Sequence, residues 1–333
     1  MSISDFDYEL PAELIAQTPV EPRSAARLLI DEGDRRARHS VVKHLGEELR
    51  AGDVLVVNNT KVLPARLHLR RATGGKVEVL LLEPLGDGEW ECLMRPGGKL
   101  KAGEELFSHT GEAVISVTGR RESPSAATFQ VSILAPEDEL FALGELPLPP
   151  YITEQPTDPN RYQTVFADRP GSAAAPTAGL HLTTELLSEL RAGGIDIVEV
   201  ELIVGIDTFR PVEVERLDDH IMHTESYRVD SAVFERVNDA ARVIAVGTTS
   251  TRALESAATT RRLQGRTNLF IRPGYDWKVV DLLMTNFHQP RTTLLVMIEA
   301  FVGSRWRRLY EEAIHERYRM LSFGDAMLLD RHR

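Results

Sequence analysis

The chain has 333 residues, 42% hydrophobic and 27% charged, with a formal net charge of −11. That length is more than one hydrophobic core usually serves, so two domains are expected. A single cysteine, Cys92, excludes an internal disulfide framework, and the acidity argues against a protein that coats nucleic acid through bulk charge.

The N-terminal stretch "MSISDFDYELP" is acidic and lacks the basic-then-apolar form of a signal peptide. No apolar run approaches the ~20 residues that span a bilayer, so a soluble, cytoplasmic protein is expected. The first extended signal is "GDVLVVNNT", a strand that ends in a polar loop. From about Val62 to Leu146 the chain reads as short strands. "ARLHLR" alternates Ala65, Leu67 and Leu69 with Arg66, His68 and Arg70, the period of a half-buried strand. Turn signals at Gly74-Gly75, Gly86–Gly88 and Pro96-Gly97-Gly98 separate it from "KVEVLLLE", "EWECLM", "EAVISVTG" and "FQVSIL". Five or six such strands without helices predict a small antiparallel barrel or sandwich.

From Tyr151 onward strands, polar loops and helices alternate. Strands are expected in "IDIVEVELIV", "RVIAVG" and "KVVDLLMTNF". Helices are expected in "ELLSEL", capped by Thr183 or Thr184 and stopped at Gly193-Gly194, and in "SAVFERVNDAA", capped by Ser231. Two more are expected in "RALESAAT", after a "TTST" loop, and in "TTLLVMIEAF". This alternation means α/β with largely parallel pairing. The expected architecture is an α/β domain built from both chain ends, residues 1–62 and 148–333, with a small antiparallel β-barrel domain, residues 63–147, inserted between them.

Open α/β sheets collect ligands at the carboxyl ends of their strands. Four stretches there are rich in hydroxyls, amides and histidine: "NNTKV", "GTTSTR", "TNFHQPRTT" and "APTAGLHLTTELL". The stretch "GSAAAPTAGLHLT", Gly171 to Thr183, is bare and broken by glycine and proline, which predicts a flexible loop rather than a packed helix. Each piece also has a plain structural reading, since Thr-Thr before a helix is commonly only a cap and a lone histidine is commonly a buried structural residue. The His220/His223 pair with Glu225 beyond lacks the further ligands a metal needs, so no metal is expected. There is no Walker loop, G-x-G-x-x-G, G-x-S-x-G or C-x-x-C, which removes the main support for kinase, dinucleotide-dehydrogenase, hydrolase and zinc-ribbon readings. A local basic run, Arg66, His68, Arg70, Arg71 and Lys76 followed by Arg95, Lys99 and Lys101, is either a solvated strand face or a patch for nucleic acid.

Several long segments occur together and in order. They include "FDYELPAELIAQTPVEPRSAARLL", "GDVLVVNNTKVLPARL", "RYQTVFA", "GSAAAPTAGLHLT", "TFRPVEVERLDDHIMHTESY", "AVGTTSTRALES" and "PGYDWKVVDLLMTNFHQPRTTLLVMIEAFVG". With them the chain resembles the S-adenosylmethionine:tRNA ribosyltransferase-isomerase family of queuosine biosynthesis over almost its whole length. The resemblance implies an α/β domain with an inserted β-barrel and no bound cofactor or metal. It implies S-adenosylmethionine as ribosyl donor and tRNA, at its anticodon wobble position, as acceptor. The ribosyl group would pass to the aminomethyl of a 7-deazaguanine and rearrange to an epoxycyclopentane, with loss of adenine and methionine. A sulfonium makes the adjacent C5′ protons acidic, so a base and an acid are wanted. His181 and His288 are candidates for both near neutral pH, with Asp281 to orient them. Asn59, Thr60, Thr177, Gly179, Thr248, Thr249, Arg252, Glu255 and Asn286 are candidates for holding the donor. Arg66, Arg70, Arg71, Lys76, Arg95, Lys99 and Lys101 are candidates for tRNA. A monomer is expected.

The chain departs from the family pattern at Ile203, where a histidine is usual, at Asp207, where a glycine is usual, at Glu154, where an arginine is usual, and at Ser24, where an acid is usual. These departures raise a same-fold paralogue with another acceptor as the alternative. A non-catalytic RNA-binding module is a third reading, opposed by the acidity and the polar strand-end loops.

Overall fold

The structure is a computed structural model that describes residues 1–98, 100–121, 127–154, 158–205, 212–222 and 224–332. The chain forms two compact units, one of Met1–Thr60, Pro149–Arg169 and Pro176–Arg333, the other of Lys61–Leu148 and Pro170–Ala175.

The first unit is built on a nine-stranded mixed sheet. Its strand order is Gln264–Thr267, Glu225–Arg228, Asp196–Leu202, Asp53–Asn58, Arg242–Val246, Leu282–Asn286, Ala326–Asp330, Arg27–Ile30 and Arg38–Val41. The four strands Asp196–Leu202, Asp53–Asn58, Arg242–Val246 and Leu282–Asn286 are parallel. The central ones read as continuous apolar runs because both faces are covered. Leu55, Val57, Ile244, Val246, Leu282 and Met284 pack on one face against Leu182, Leu186, Leu187 and Leu190. The last three of those lie on the helix Thr184–Ala192. Winding order decides where the sheet is open. Of these four, the strand Asp53–Asn58 comes first in the chain, the second lies on one side of it and the third on the other. The direction of winding therefore reverses between Asp53–Asn58 and Arg242–Val246, the place where open α/β sheets take ligands.

Local structure follows the sequence except that the stretch expected to hold strands alone also carries the helix Glu137–Ala142, and with three further corrections. Thr183 caps the helix Thr184–Ala192 through Leu186 N–H, at 3.2 Å. Ser231, by contrast, is the first residue of the helix Ser231–Asn238, and Asp230 occupies the cap position without a side-chain bond. "TTST" is no loop, because the helix begins at Gly247 and runs to Thr260. The Ser250 and Thr251 hydroxyls donate back to the carbonyls of Val246 and Gly247, at 2.8 and 3.1 Å, so they ride on the helix instead of capping it. Gly247 makes that abrupt strand-to-helix turn at φ +86°, a conformation that disfavours a side chain. The third correction concerns "GSAAAPTAGLHLT". Its alanines are buried and its second half is the short 3₁₀ turn Thr177–His181. A Cβ on Gly179 would lie 2.8 Å from the Phe166 ring and 3.1 Å from Thr164. The stretch is bare because it is packed.

The second unit is a closed barrel of six antiparallel strands. They are Arg66–Arg71, Lys76–Gly86, Glu89–Arg95, Thr128–Ile133, Ala113–Arg121 and Glu105–Phe107. The last pairs back on the first, Arg70 opposite Phe107 and Arg71 opposite Leu106, which leaves these six without a free edge. Alternation places Leu67, Leu69, Val79, Cys92, Ile115 and Val131 inside. Cys92 is thus a core residue, and burial pushes its thiol far up.

Candidate functional site

The carboxyl edge of the parallel strands gathers most of the expected donor-site residues. Asn59 and Thr60 follow the strand Asp53–Asn58, Thr248 and Thr249 open the helix after Arg242–Val246, and Asn286 ends Leu282–Asn286. All five are more than nine-tenths buried. Buried polar atoms are nearly always paired, yet several here are not. Asn59 Oδ1, Thr60 Oγ1, Thr164 Oγ1 and Thr249 Oγ1 have no hydrogen-bond partner among the described residues. The Thr249 hydroxyl folds back to within 3.6 Å of where a Cβ on Gly247 would stand. It therefore faces the uncapped start of a 14-residue helix, where free amides favour a polar or anionic group.

Next to this opening runs a side-chain relay. Thr177 Oγ1 donates to Asn286 Oδ1 at 2.9 Å, and Asn286 Nδ2 lies 3.1 Å from His181 Nε2. An amide NH₂ can only donate, so His181 Nε2 accepts and its proton resides on Nδ1. His181 is 5% exposed. Burial, with help from the Arg319 and Arg23 charges, pulls its imidazolium down to about 4. His181 is therefore neutral near pH 7 and supplies a fixed N–H donor instead of an imidazolium acid.

The remaining sequence candidates divide differently. His288 is buried and pulled down to about 3 by burial. Its ring meets Thr285 Oγ1 at 3.1 Å, its N–H donates to the Tyr310 hydroxyl at 3.0 Å, and its carbonyl accepts from Tyr8 at 2.6 Å. These contacts fasten the aromatic cluster of Tyr8, Phe287, Trp306 and Tyr310. Asp281 stands at the opposite edge of the sheet, ahead of the strand that ends in Asn286. Its carboxylate accepts from Val243 N–H at 2.9 Å, from Arg331 at 3.3 Å and from the His332 ring at 2.9 Å, so it orients neither histidine. Glu255 is fully buried and accepts from Tyr275 and from the backbone N–H groups of Lys278, Val279 and Val280, each at 3.0 Å. It anchors the loop before the strand Leu282–Asn286 and is occupied by those four donors. Arg252 is 4% exposed and ion-paired with buried Glu225, which also accepts from Gly205 N–H at 3.2 Å. Arg252 Nε and Nη2 have no partner among the described residues.

Of the basic candidates, Arg70, Lys76, Arg95 and Lys101 are exposed. Arg70 faces Lys76 across the strand pair, while Arg95 faces Glu78. Arg71 is engaged by Glu104 through two bonds of 2.5 and 3.0 Å, and Arg66 is half-buried with Nη2 at 3.5 Å from the Leu148 carbonyl. Lys99 lies outside the described residues, as do Asp207 and His223. Among the described residues no group of three or more His, Cys, Asp or Glu could hold a metal ion. Among the described residues no helix is long and apolar enough to cross a membrane. Of the departures, Ile203 continues its strand by donating to Ser226 O at 2.9 Å, and Glu154 is exposed.

Fold and site together define an α/β protein with buried, unpartnered polar groups at a point where the sheet reverses its winding. The family described as "Queuosine biosynthesis protein" matches residues 3–329. The S-adenosylmethionine:tRNA ribosyltransferase-isomerases of Moorella thermoacetica and Thermotoga petrophila are 49% and 46% identical to the chain. Each alignment covers 99% of this chain and 100% of the relative. The crystal structure of the S-adenosylmethionine tRNA ribosyltransferase from Thermotoga maritima superposes with a TM-score of 0.55 at 37% identity, covering 98% of this chain and 99% of that one. The chain belongs to the S-adenosylmethionine:tRNA ribosyltransferase-isomerase family of queuosine biosynthesis.

Sequence reasoning missed Arg23, Arg161 and Thr164, and weighed Glu225 only beside a possible metal. Arg23 and Arg161 sit inside the quoted family segments, but nothing in their spacing tells that 138 positions of chain fold back to bring them into one cleft, as the structure does.

Proposed function

We propose that the chain transfers the ribosyl moiety of S-adenosylmethionine to the 7-aminomethyl-7-deazaguanine at the wobble position of tRNA. It isomerises that moiety to give epoxyqueuosine and releases adenine and methionine. The observation that carries the reading is the set of buried, unpartnered polar atoms of Asn59, Thr60 and Thr249 at the reversal point of the sheet. A ribose with vicinal hydroxyls both donates and accepts, which is what two hydroxyls and an amide oxygen require.

In this reading Asn59, Thr60, Thr248, Thr249 and Arg252 hold the donor, and Gly179 keeps the packed turn close to it. His181 acts as a neutral N–H donor toward the ring nitrogen of the departing adenine, where negative charge builds up. The sulfonium acidifies the C5′ protons of its own ribose, so a base of modest strength suffices for the isomerisation. Exposed Arg70, Lys76, Arg95 and Lys101 on the barrel, together with Lys99, contact tRNA phosphates. The two chain ends, 1–62 and 148–333, form the catalytic domain and 63–147 the inserted one, and the enzyme works as a cytoplasmic monomer.

The half-buried Ile203 and exposed Glu154, with Asp207, favour a second reading in which the acceptor differs. One incubation separates the two. Purified protein is mixed with S-adenosylmethionine and tRNA bearing the aminomethyl deazaguanine, and adenine release and nucleoside mass are followed. Adenine formed only with that tRNA, together with the epoxycyclopentane adduct, is the expected result. Thermal stabilisation by S-adenosylmethionine with no product would favour the other acceptor.

A further inference from the structure

Beside His181 the first unit holds a cleft bounded by Pro19, Arg23, Arg161, His181, Ser322 and Phe323. Two guanidiniums share it. Arg23 donates Nη1 to the Gln163 carbonyl at 2.5 Å and Nη2 to the Asn160 carbonyl at 2.9 Å. Arg161 Nη2 donates to the Val20 carbonyl at 2.9 Å. Arg319, whose charge also acts on His181, donates to the Thr18 carbonyl. Carbonyls fix these side chains in place without neutralising them.

Two carboxylates, Glu21 and Asp158, act on Arg23. Glu21 is 2.8 Å from Arg161 but 73% exposed, and such surface ion pairs are weak and easily exchanged. The Asp158 carboxylate accepts from Asn160 N–H at 2.9 Å. The Asp325 carboxylate accepts from the N–H groups of Arg27 and Arg319, each at 2.8 Å. Among the described residues neither Arg23 nor Arg319 is ion-paired. Burial first, and then the neighbouring Arg161 charge, pull the Arg23 guanidinium below its usual value, outweighing the opposite pull of Glu21 and Asp158. Like charges held together in a partly desolvated cleft, in a chain of net charge −11, form a local site for an anion.

We propose that this cleft is an oxyanion subsite in which Arg23 and Arg161 receive a phosphodiester group next to the reacting nucleotide and so set that nucleotide beside His181. The proposal rests on the ribosyl-transfer reading for the identity of the nucleotide. The same oxyanion chemistry would also accept the methionine carboxylate of the donor, and the test distinguishes them.

The test uses Arg23→Gln and Arg161→Gln in the full chain. It measures KM for each substrate, the salt dependence of tRNA binding and the melting temperature. Each variant is expected to raise KM for tRNA about tenfold. Each should also flatten the slope of log affinity against log salt by about 0.7, one single-strand phosphate contact, with KM for S-adenosylmethionine within about twofold of wild type. A rise in KM for S-adenosylmethionine with an unchanged salt slope would keep the oxyanion subsite and overturn the phosphodiester as its occupant. Folded variants with both KM values unchanged would overturn the subsite. Because Arg23 ties residues 160 and 163, loss of folding is guarded against with wild-type protein and inorganic phosphate as probe. At constant ionic strength, phosphate should raise the melting temperature saturably at low millimolar concentration, and no rise, or only the unsaturable rise that a kosmotropic salt gives any protein, would overturn the subsite. That last measurement needs neither substrate, so it stands even if the ribosyl-transfer reading fails.

Discussion

The two edges of the central sheet are made from the same four parallel strands, yet they treat polar groups in opposite ways. At the amino edge the carboxylates of Asp53 and Asp281 are matched. Asp53 accepts from Arg242 Nε at 3.0 Å and Nη2 at 2.5 Å and from Arg50 N–H at 2.9 Å. Asp281 accepts from three partners. At the carboxyl edge Asn59, Thr60 and Thr249 present buried atoms with nothing described to bond them. Leaving such atoms unpaired costs roughly 1–3 kcal/mol each, a cost that folding alone would not favour. The difference supports the proposed function, in which the amino edge serves stability and the carboxyl edge is left for a ligand to complete.

The comparison can be broken at several points. The largest effect is expected from His181→Gln, which keeps an acceptor for Asn286 at the Nε2 position and removes the Nδ1–H donor at the carboxyl edge. Adenine release should fall by on the order of 10²-fold or more, with little change in the unfolding midpoint. A variant that turns over at the wild-type rate would remove His181 from the chemistry.

At the amino edge the pattern reverses. Asp53→Asn leaves Arg242 without its carboxylate, so urea unfolding should show a loss of about 3 kcal/mol while kcat per folded molecule is kept. Lost activity in a stable variant would contradict the division between the edges.

Acid sharpens the distinction further. His181 and His288 have native values near 4 and 3, below the ordinary 6.5. The unfolded chain therefore binds protons first, and stability is lost as pH falls from 6.5 toward those values. Each histidine contributes at most about 1.4 kcal/mol per pH unit in that window. His288→Asn should flatten this acid slope in chemical unfolding measured between pH 6.5 and 4, and an unchanged slope would show that His288 does not carry it.

The smallest effect is the most diagnostic. Thr249→Val removes an unpartnered buried hydroxyl, so stability should hold or rise, by no more than about 1 kcal/mol. KM for S-adenosylmethionine should nevertheless rise several-fold. A destabilised variant with unchanged KM would place that hydroxyl among the structural groups.

The amino-acid sequence by itself determined the architecture. Period-2 alternation in "ARLHLR", turn glycines and apolar runs bounded by polar loops are local signals, so the barrel and the α/β strands were legible in them. Thr183 was legible as a cap for the same reason. The family was legible because its segments are long and ordered. Tertiary structure alone decided which polar residues meet. Asp281 and Asn286 are five residues apart, yet a strand carries them to opposite edges of the sheet. Glu255 looks available until three backbone N–H groups converge on it. The bareness of "GSAAAPTAGLHLT" reads as freedom in the sequence and proves to be close packing, because only the fold brings Thr164 and Phe166 against Gly179. Arg23, Arg161 and His181 share a cleft for the same physical reason. Hydrogen bonds and burial depend on neighbours in space, and the winding of the sheet, not the order of residues, supplies them.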